Sequence, residues 1–250
     1  MARAKKLPPA ADPSGLLDRL PLDSAEQEQL AASGLLELAL THRSFSYEHD
    51  GVPHNERLEF LGDAVLGLAT TEDLYAAHPT LAEGDLAKRR AAIVNMRALA
   101  LLATKLELGQ YVRLGRGEDL SGGRQKASIL ADTMEALIGA VHLACGEATS
   151  RRYVLSVLAP LLGSDEMLEA GYDFKTRLQE IAAERGTVPR YAITSDGPEH
   201  AKTYTAVATI EGLVTGEGTG ASKKDAELAA AQSAVRAVLA SRGESLLARG

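Results

Sequence analysis

The stretch from Asn55 to Leu68 constrains this chain most, and it reads N-E-R-L-E-F-L-G-D-A-V-L-G-L. It is mostly apolar, rich in good helix formers and free of proline, so a helix is predicted. Spacing of i, i+3, i+7 would align the carboxylates of Glu56, Glu59 and Asp63 along one stripe, which Gly67 continues. A helix apolar on most of its surface is expected to be buried, and buried carboxylates are unfavourable unless paired or bound to a cation. The stretch therefore predicts a metal site or a basic partner.

A second apolar helix is predicted from Ser128 to His142, which reads S-I-L-A-D-T-M-E-A-L-I-G-A-V-H. Asp132 and Glu135 are three residues apart and fall on one face, which Gly139 extends. Two such helices packed together would form an oxygen-rich pocket. Oxygen ligands are those that Mg²⁺ and Mn²⁺ prefer, so the two stretches together predict a divalent-metal site.

These carboxylates have two rival interpretations. A single Glu-x-x-Glu on a helix is usually solvated surface, but two sets on two apolar helices are typical of a functional site. A di-iron carboxylate bundle needs Glu-x-x-His. The residues three positions after Glu59 and Glu135 are Gly62 and Ile138, so that rival is excluded.

The rest of the first 162 residues is also predicted to be helical, with a flexible glycine-rich loop over residues 114–126. That loop lacks the Gly-Lys-Ser/Thr ending of a phosphate-binding loop, so no nucleotide cofactor is predicted. Its Arg124 and Lys126 could instead reach phosphates. His42 is expected to be structural rather than catalytic, and residues 88–90 to be a solvated basic face, dimer contact or phosphate contact. Single helices are predicted for residues 15–20, 24–38 (capped by Ser24) and 83–108.

After a helix that begins at Asp173, the hydrophobic period changes from helical to alternating. The pattern predicts a helix, three strands and a second helix, with a tight turn at Glu211-Gly212. The predicted bounds are Asp173–Arg185, Arg190–Ser195, Thr203–Ile210, Leu213–Gly220 and Ser222 to about Leu239.

These patterns predict an α+β protein: an all-α domain followed by a small α-β-β-β-α domain. The predicted limits are a flexible tail over 1–14, a helical domain over 15–162, a linker over 163–172, the smaller domain over 173–241 and a second tail over 242–250.

Cys145 is the only cysteine, no stretch approaches about 20 apolar residues, and no signal peptide is recognisable. A cytoplasmic protein without membrane contact is expected. The net charge of −7 argues mildly against a nucleic-acid partner, so any such contact must depend on local basic clusters.

The two carboxylate stretches, together with T-H-R-S at residues 41–44, resemble bacterial ribonuclease III. The α-β-β-β-α pattern resembles the double-stranded-RNA-binding domain of that family, whose K-K-x-A-E stands here at residues 223–227. The family's contact positions fall in the first helix, in the loop at residues 197–200 and at the start of the last helix. These RNA-binding positions are Thr176, Gln179, Glu180, His200, Lys223 and Lys224.

The resemblance implies a metal-dependent endonuclease that makes staggered cuts in double-stranded RNA and leaves 5′-phosphate and 3′-hydroxyl ends. Glu59, Asp132 and Glu135 would bind Mg²⁺, for which Mn²⁺ can substitute, and the number of metals stays open. Asp63 and Glu135 would be catalytic, with Asp63 orienting the attacking water and Glu56 supporting the cleft. A homodimer joined in part through Phe60 is implied, as is processing of ribosomal precursors and of other structured transcripts, including messenger and transfer RNA.

Three other classes remain as alternatives. They are an RNA-binding protein with an inactive nuclease domain, a regulatory metal-binding module, and another Mg²⁺-dependent hydrolase on a helical scaffold. The complete carboxylate set argues against the first, the RNA-binding pattern against the second, and the signature stretch against the third.

Overall fold

The computed structural model describes residues 10–162, 172–197 and 202–243, and the chain divides into two compact units, Met1–Gly171 and Tyr172–Gly250. The predicted fold class is confirmed: the first unit is helical and the second has the order α-β-β-β-α. Most of the predicted linker and of both tails lies outside the described residues.

The first unit contains nine α-helices within its described residues, and two short 3₁₀ turns at Leu108–Gln110 and Gly123–Gln125. The helices are α1 (Ser14–Leu17), α2 (Ser24–Ala32), α3 (Leu35–Ala39), α4 (Arg43–Glu48), α5 (Glu56–Ala77), α6 (Glu83–Ile93), α7 (Met96–Lys105), α8 (Arg116–Leu120) and α9 (Ala127–Leu162).

The crossing of α5 and α9 is the centre of this unit, and two glycines make it possible. A Cβ atom on Gly62 would lie 2.6 Å from the carbonyl carbon of Glu135, and one on Gly139 would overlap the backbone of Leu58. The backbones therefore approach more closely than any side chain would allow. Gly67, which the sequence analysis placed on the carboxylate stripe, has open space around it and plays no part in the crossing.

Helix α9 is interrupted at Gly146, which has φ 83° and ψ 177°, a conformation that favours glycine. By length and composition, Ala127–Leu161 could cross a membrane, contrary to the expectation that no stretch approaches that length. Most of its apolar window is buried against the other helices of the unit, including α5 and α7. Core burial therefore accounts for its apolar character.

Two helices that the sequence analysis treated as continuous are divided by local backbone signals. Gly34, with φ 71°, separates α2 from α3. Asn95 lies between α6 and α7 and caps α7 through its side chain. The cap of α2 is Asp23 rather than Ser24, in a reciprocal capping box with Glu26. The helical content was predicted correctly, and the interruptions were missed.

The second unit comprises helix α10 (Phe174–Ala183), strands β1 (Arg190–Asp196), β2 (Thr203–Ile210) and β3 (Val214–Gly220), and helix α11 (Lys223–Arg242). The strands form an antiparallel sheet in the order β1-β2-β3, with Ile210 opposite Val214, so the β2–β3 turn has three residues rather than two. Both helices contribute to a core with the inward residues of the sheet. Cβ atoms on Gly216 and Gly218 would overlap the backbone of α11, so these glycines allow the helix to lie directly on β3.

Candidate active site

Three carboxylates converge where α5 crosses α9. Glu59 on α5 and Asp132 and Glu135 on α9 each contribute an oxygen, and these oxygens lie within 4.8 Å of one another. Each of the three residues is half-buried. The glycine-mediated crossing brings them together, because Gly62 and Gly139 lie one turn beyond Glu59 and Glu135 on the two helices.

The three carboxylates are partly buried and repel one another electrostatically. Burial raises the pKa of Glu135 to about 7, with further contributions from the charges of Asp63, Asp132 and Glu59. Burial is also the first cause of the raised pKa of Glu59 and of Asp132, and for Glu59 the Asp132 charge adds to it. Like charges held together in a partly desolvated place favour a bound cation or a proton.

The donor set fits a hard divalent cation. Within the described residues, no lysine or arginine forms an ion pair with Glu59, Asp132 or Glu135. Carboxylate oxygens are the ligands that Mg²⁺ and Mn²⁺ accept, and the half-exposed setting leaves room for water in the remaining positions.

Two further acidic residues of the stripe lie at the edge of this cluster. Asp63 is exposed and outside the set of three, yet close enough for its charge to raise the pKa of Glu135. Glu56 is also exposed, and Arg43 donates to its carboxylate at 3.3 Å. The expectation of a fully buried helix is therefore wrong for α5, since only one face of it is buried.

A cleft of about 930 Å³ opens next to the cluster and includes Glu59 and Asp132 in its lining. His42 also lines this cleft and caps α4. Its ring Nδ1 accepts from the backbone N–H of Ser44 at 3.2 Å, and burial lowers the histidine pKa. The structural role expected for His42 agrees with these contacts. Tyr47, which is 91% exposed, also borders the cleft and was not singled out from the sequence.

Arg124 and Lys126 of the glycine-rich segment have different surroundings from those predicted. Arg124 forms a two-fold ion pair with Asp119, at 2.8 and 2.9 Å, and donates to three backbone carbonyls, so it holds the segment together and does not face the cleft. Lys126 borders the cleft and pairs with Glu118. The segment is folded through α8 and a 3₁₀ turn, so the prediction of a flexible loop is wrong.

Helix α5 carries an exposed apolar face opposite its buried one. Phe60 is 81% exposed, Leu68 56% and Tyr75 74%, and helical spacing places these side chains, with Ala64, along one side of α5. An exposed apolar face of this kind is typical of interaction surfaces. The sequence pattern did not distinguish this face from the core, because both are apolar.

The RNA-contact candidates that the structure describes lie along α10 and in the first turn of α11. Thr176, Gln179 and Glu180 are exposed on α10, and Lys223 and Lys224 are exposed in the first turn of α11. Glu180 pairs with Arg177 at 2.9 Å. His200 lies outside the described residues, so the structure does not place it.

Comparison with known proteins matches both units to families. Residues 32–162 match a family model described as ribonuclease-III-like, and residues 174–238 match the double-stranded RNA binding motif. The chain is 55% identical over 213 residues to Ribonuclease 3 of Streptomyces coelicolor, covering 85% of this chain and 77% of that protein. It is also 55% identical over 210 residues to Ribonuclease 3 of Thermobifida fusca, covering 84% and 88%.

Among solved structures, the helical unit is similar to the nuclease domain of ribonuclease III from Campylobacter jejuni. The identity is 37%, the TM-score is 0.54, and the match covers 61% of this chain and all of that one. The report of that structure concerns flexibility in a region involved in dimer formation.

Proposed function

The chain belongs to the ribonuclease III family of double-stranded-RNA-specific endonucleases, and from that premise we propose that it cleaves RNA duplexes in a Mg²⁺-dependent reaction. The observation that carries the proposal is the convergence of Glu59, Asp132 and Glu135 within 4.8 Å, beside a cleft, in a chain that also has a double-stranded RNA binding motif. The proposed products are staggered ends with 5′-phosphates and 3′-hydroxyls.

In this proposal each acidic residue has a distinct role. Glu59, Asp132 and Glu135 hold the cation, for which Mn²⁺ can substitute. When bound, the cation supplies Lewis-acid activation of water and neutralises charge on the phosphate. Asp63, exposed beside Glu135, orients the attacking water and accepts its proton, and Glu56 supports the cleft rim together with Arg43.

The RNA-binding surface proposed for the second unit consists of Thr176, Gln179, Glu180, His200, Lys223 and Lys224. Exposed lysines at a helix N-terminus suit the phosphates between two minor grooves. Their support here is the exposure of the five described residues and the family match over residues 174–238. The proposed biological substrates are ribosomal precursors and other structured messenger and transfer transcripts, in the cytoplasm. The domain limits at 15–162 and 173–241 are part of the same proposal.

The direct test is a cleavage assay with the purified full chain on a long RNA duplex. We expect cleavage with Mg²⁺ or Mn²⁺, none with EDTA, and no cleavage of a single strand of the same sequence. End analysis should give 5′-phosphates and 3′-hydroxyls. Duplex binding without cleavage under every metal condition would instead favour an RNA-binding protein with an inactive nuclease domain.

We further propose that the enzyme is a homodimer in which the exposed apolar face of α5 forms part of the interface. Cutting both strands of a duplex requires two related active sites, and two-fold symmetry provides them. The apolar face lies next to the carboxylate stripe on α5, so dimerisation would place the two sites near a shared surface.

Replacing Phe60 with glutamine should weaken this dimer. A well-packed interface aromatic contributes about 2 kcal/mol or more, and in a two-fold interface it occurs twice. Sedimentation should show the wild type at about twice the 26.4 kDa chain mass and a concentration-dependent shift toward monomer in the variant. Val188→Gln, at a residue that is 71% exposed in the second unit, is the matched control and should sediment like the wild type. A wild-type protein that stays monomeric and still makes staggered cuts would contradict the proposal.

A further inference from the structure

The second unit contains a half-buried ion pair that the proposed RNA surface does not include. The ammonium of Lys175, in the first turn of α10, lies 2.6 Å from a carboxylate oxygen of Glu227 on α11. The side chains are 35% and 24% exposed, so the pair is shielded more than an ordinary surface pair. The ammonium also lies 5.0 Å from the ring centroid of Tyr191 on β1. Lys175 is therefore fixed by two other elements at once.

Glu227 lies on the same helix as Lys223 and Lys224, at a spacing that would let it pair with either of them. Glu227 follows Lys223 by four residues and Lys224 by three on the same helix. Side chains at these spacings are neighbours on a helix surface, and a carboxylate there readily pairs with a lysine. Within the described part of the chain, neither Lys223 nor Lys224 forms an ion pair, and both side chains are exposed. The carboxylate is thus directed to Lys175 and away from the two lysines.

We propose that Lys175 is a positioning residue for RNA binding, which holds Glu227 away from Lys223 and Lys224 and so keeps both lysines available to phosphates. Without the Lys175 ammonium, the Glu227 carboxylate would turn toward the lysine side chains and neutralise part of their charge. The inference rests on the proposed RNA surface and adds to it a residue that touches no RNA itself.

Lys175→Met should weaken RNA binding without removing a phosphate contact. Methionine keeps an unbranched side chain beside Tyr191 and removes the ammonium, with its charge and its hydrogen-bond donors. With the full chain, a duplex longer than one binding domain spans and Ca²⁺ in place of Mg²⁺, we expect roughly 3- to 10-fold weaker binding near physiological salt. The slope of log K against log salt should decrease by up to about one.

Glu227→Gln and the double variant Lys175→Met/Glu227→Gln distinguish two roles of the ion pair. Lys175 either shields the lysines from the Glu227 carboxylate, or the pair only braces α10 against α11. If the pair only braces α10 against α11, Glu227→Gln breaks it as well, and both that variant and Lys175→Met/Glu227→Gln should bind weakly. If Lys175 shields the lysines, Glu227→Gln should bind at least as tightly as the wild type, and the double variant should recover wild-type affinity. Weak binding by Glu227→Gln would overturn the proposal, even if Lys175→Met alone failed to fold.

Lys223→Ala/Lys224→Ala is the reference that separates this inference from the proposed function. It should bind more weakly than the wild type, and adding Lys175→Met should cause no further loss, since the shielded charges are gone. Normal binding by the reference would overturn the proposed RNA surface and the inference with it. Weak binding by the reference combined with wild-type affinity of Lys175→Met would overturn the inference alone.

Discussion

Replacing Glu135 by glutamine is expected to reduce cleavage of double-stranded RNA by about a thousandfold or more, since cation-based stabilisation of a transition state contributes several kcal/mol. Glutamine keeps nearly the same shape and removes one of three converging carboxylates. Binding of the duplex in Ca²⁺ should be largely retained, because the proposed RNA surface lies in the second unit. The measurement is single-turnover cleavage of a hairpin at saturating enzyme.

The matched control is Glu28→Gln, which makes the same chemical change at an exposed position of α2. It should cleave like the wild type. A Glu135→Gln protein that cleaves at a near wild-type rate would show that the carboxylate cluster is not the metal site, and the proposed mechanism would be abandoned.

The same substitution should change how stability depends on pH. Burial and neighbouring carboxylates raise the pKa of Glu135 to about 7, above the value of 4.5 for an ordinary glutamate. The folded state then holds a proton that the unfolded state releases, so metal-free stability should fall as pH rises from about 4.5 to 7. Glutamine does not titrate, so the Glu135→Gln variant should lack this fall in stability. Above pH 7 without metal, it should melt at a higher temperature than the wild type.

Added Mg²⁺ should reverse that order. The cation binds deprotonated carboxylates, so its stabilisation of the wild type should grow through the same pH range. The variant should show a smaller rise in melting temperature with Mg²⁺. Thermal melts at several pH values, with Mg²⁺ and with EDTA, measure both effects. A wild-type melting temperature that does not change with Mg²⁺ would contradict the assignment of the carboxylate cluster as the metal site.

Gly62→Ala is expected to cause a large loss of stability in the helical unit. The new methyl group would lie 2.6 Å from the carbonyl carbon of Glu135, and backbone atoms cannot rotate away as a side chain can. The helices must separate, so we expect destabilisation of about 3 kcal/mol or more, at the upper end of overpacking effects. Cleavage should fall as well, because the crossing sets the separation of Glu59 and Glu135.

Gly67→Ala is the control in the same helix. A Cβ atom there meets nothing within 4 Å, so alanine should be neutral or stabilise the helix by up to about 1 kcal/mol. Denaturant unfolding followed by circular dichroism measures both variants. Equal stabilities for the two would mean that the close crossing of α5 and α9 does not govern the fold of this unit.

The sequence by itself determined the fold class, the strands and the identity of the acidic residues that could form a site. Strand and helix periods differ, so the change after Arg185 is evident in the sequence, and β2 was predicted with its observed bounds. The carboxylates were recognisable because acidic residues at helical spacing within apolar stretches are unfavourable without a partner. Local patterns of this kind need no knowledge of what packs against them.

Only the tertiary structure decided which faces are buried and which glycines matter. Phe60 and Leu66 are equally apolar in sequence, yet one is 81% exposed and the other fully buried, because only one side of α5 contacts α9. Gly62 and Gly67 are equivalent in the sequence pattern, and only the packing of α9 against α5 shows that Gly62 is at the crossing. Arg124 could have faced phosphates, but Asp119 and three carbonyl groups hold it inside the fold. Burial, close approach and ion pairing depend on residues distant in sequence, so a local sequence pattern cannot predict them.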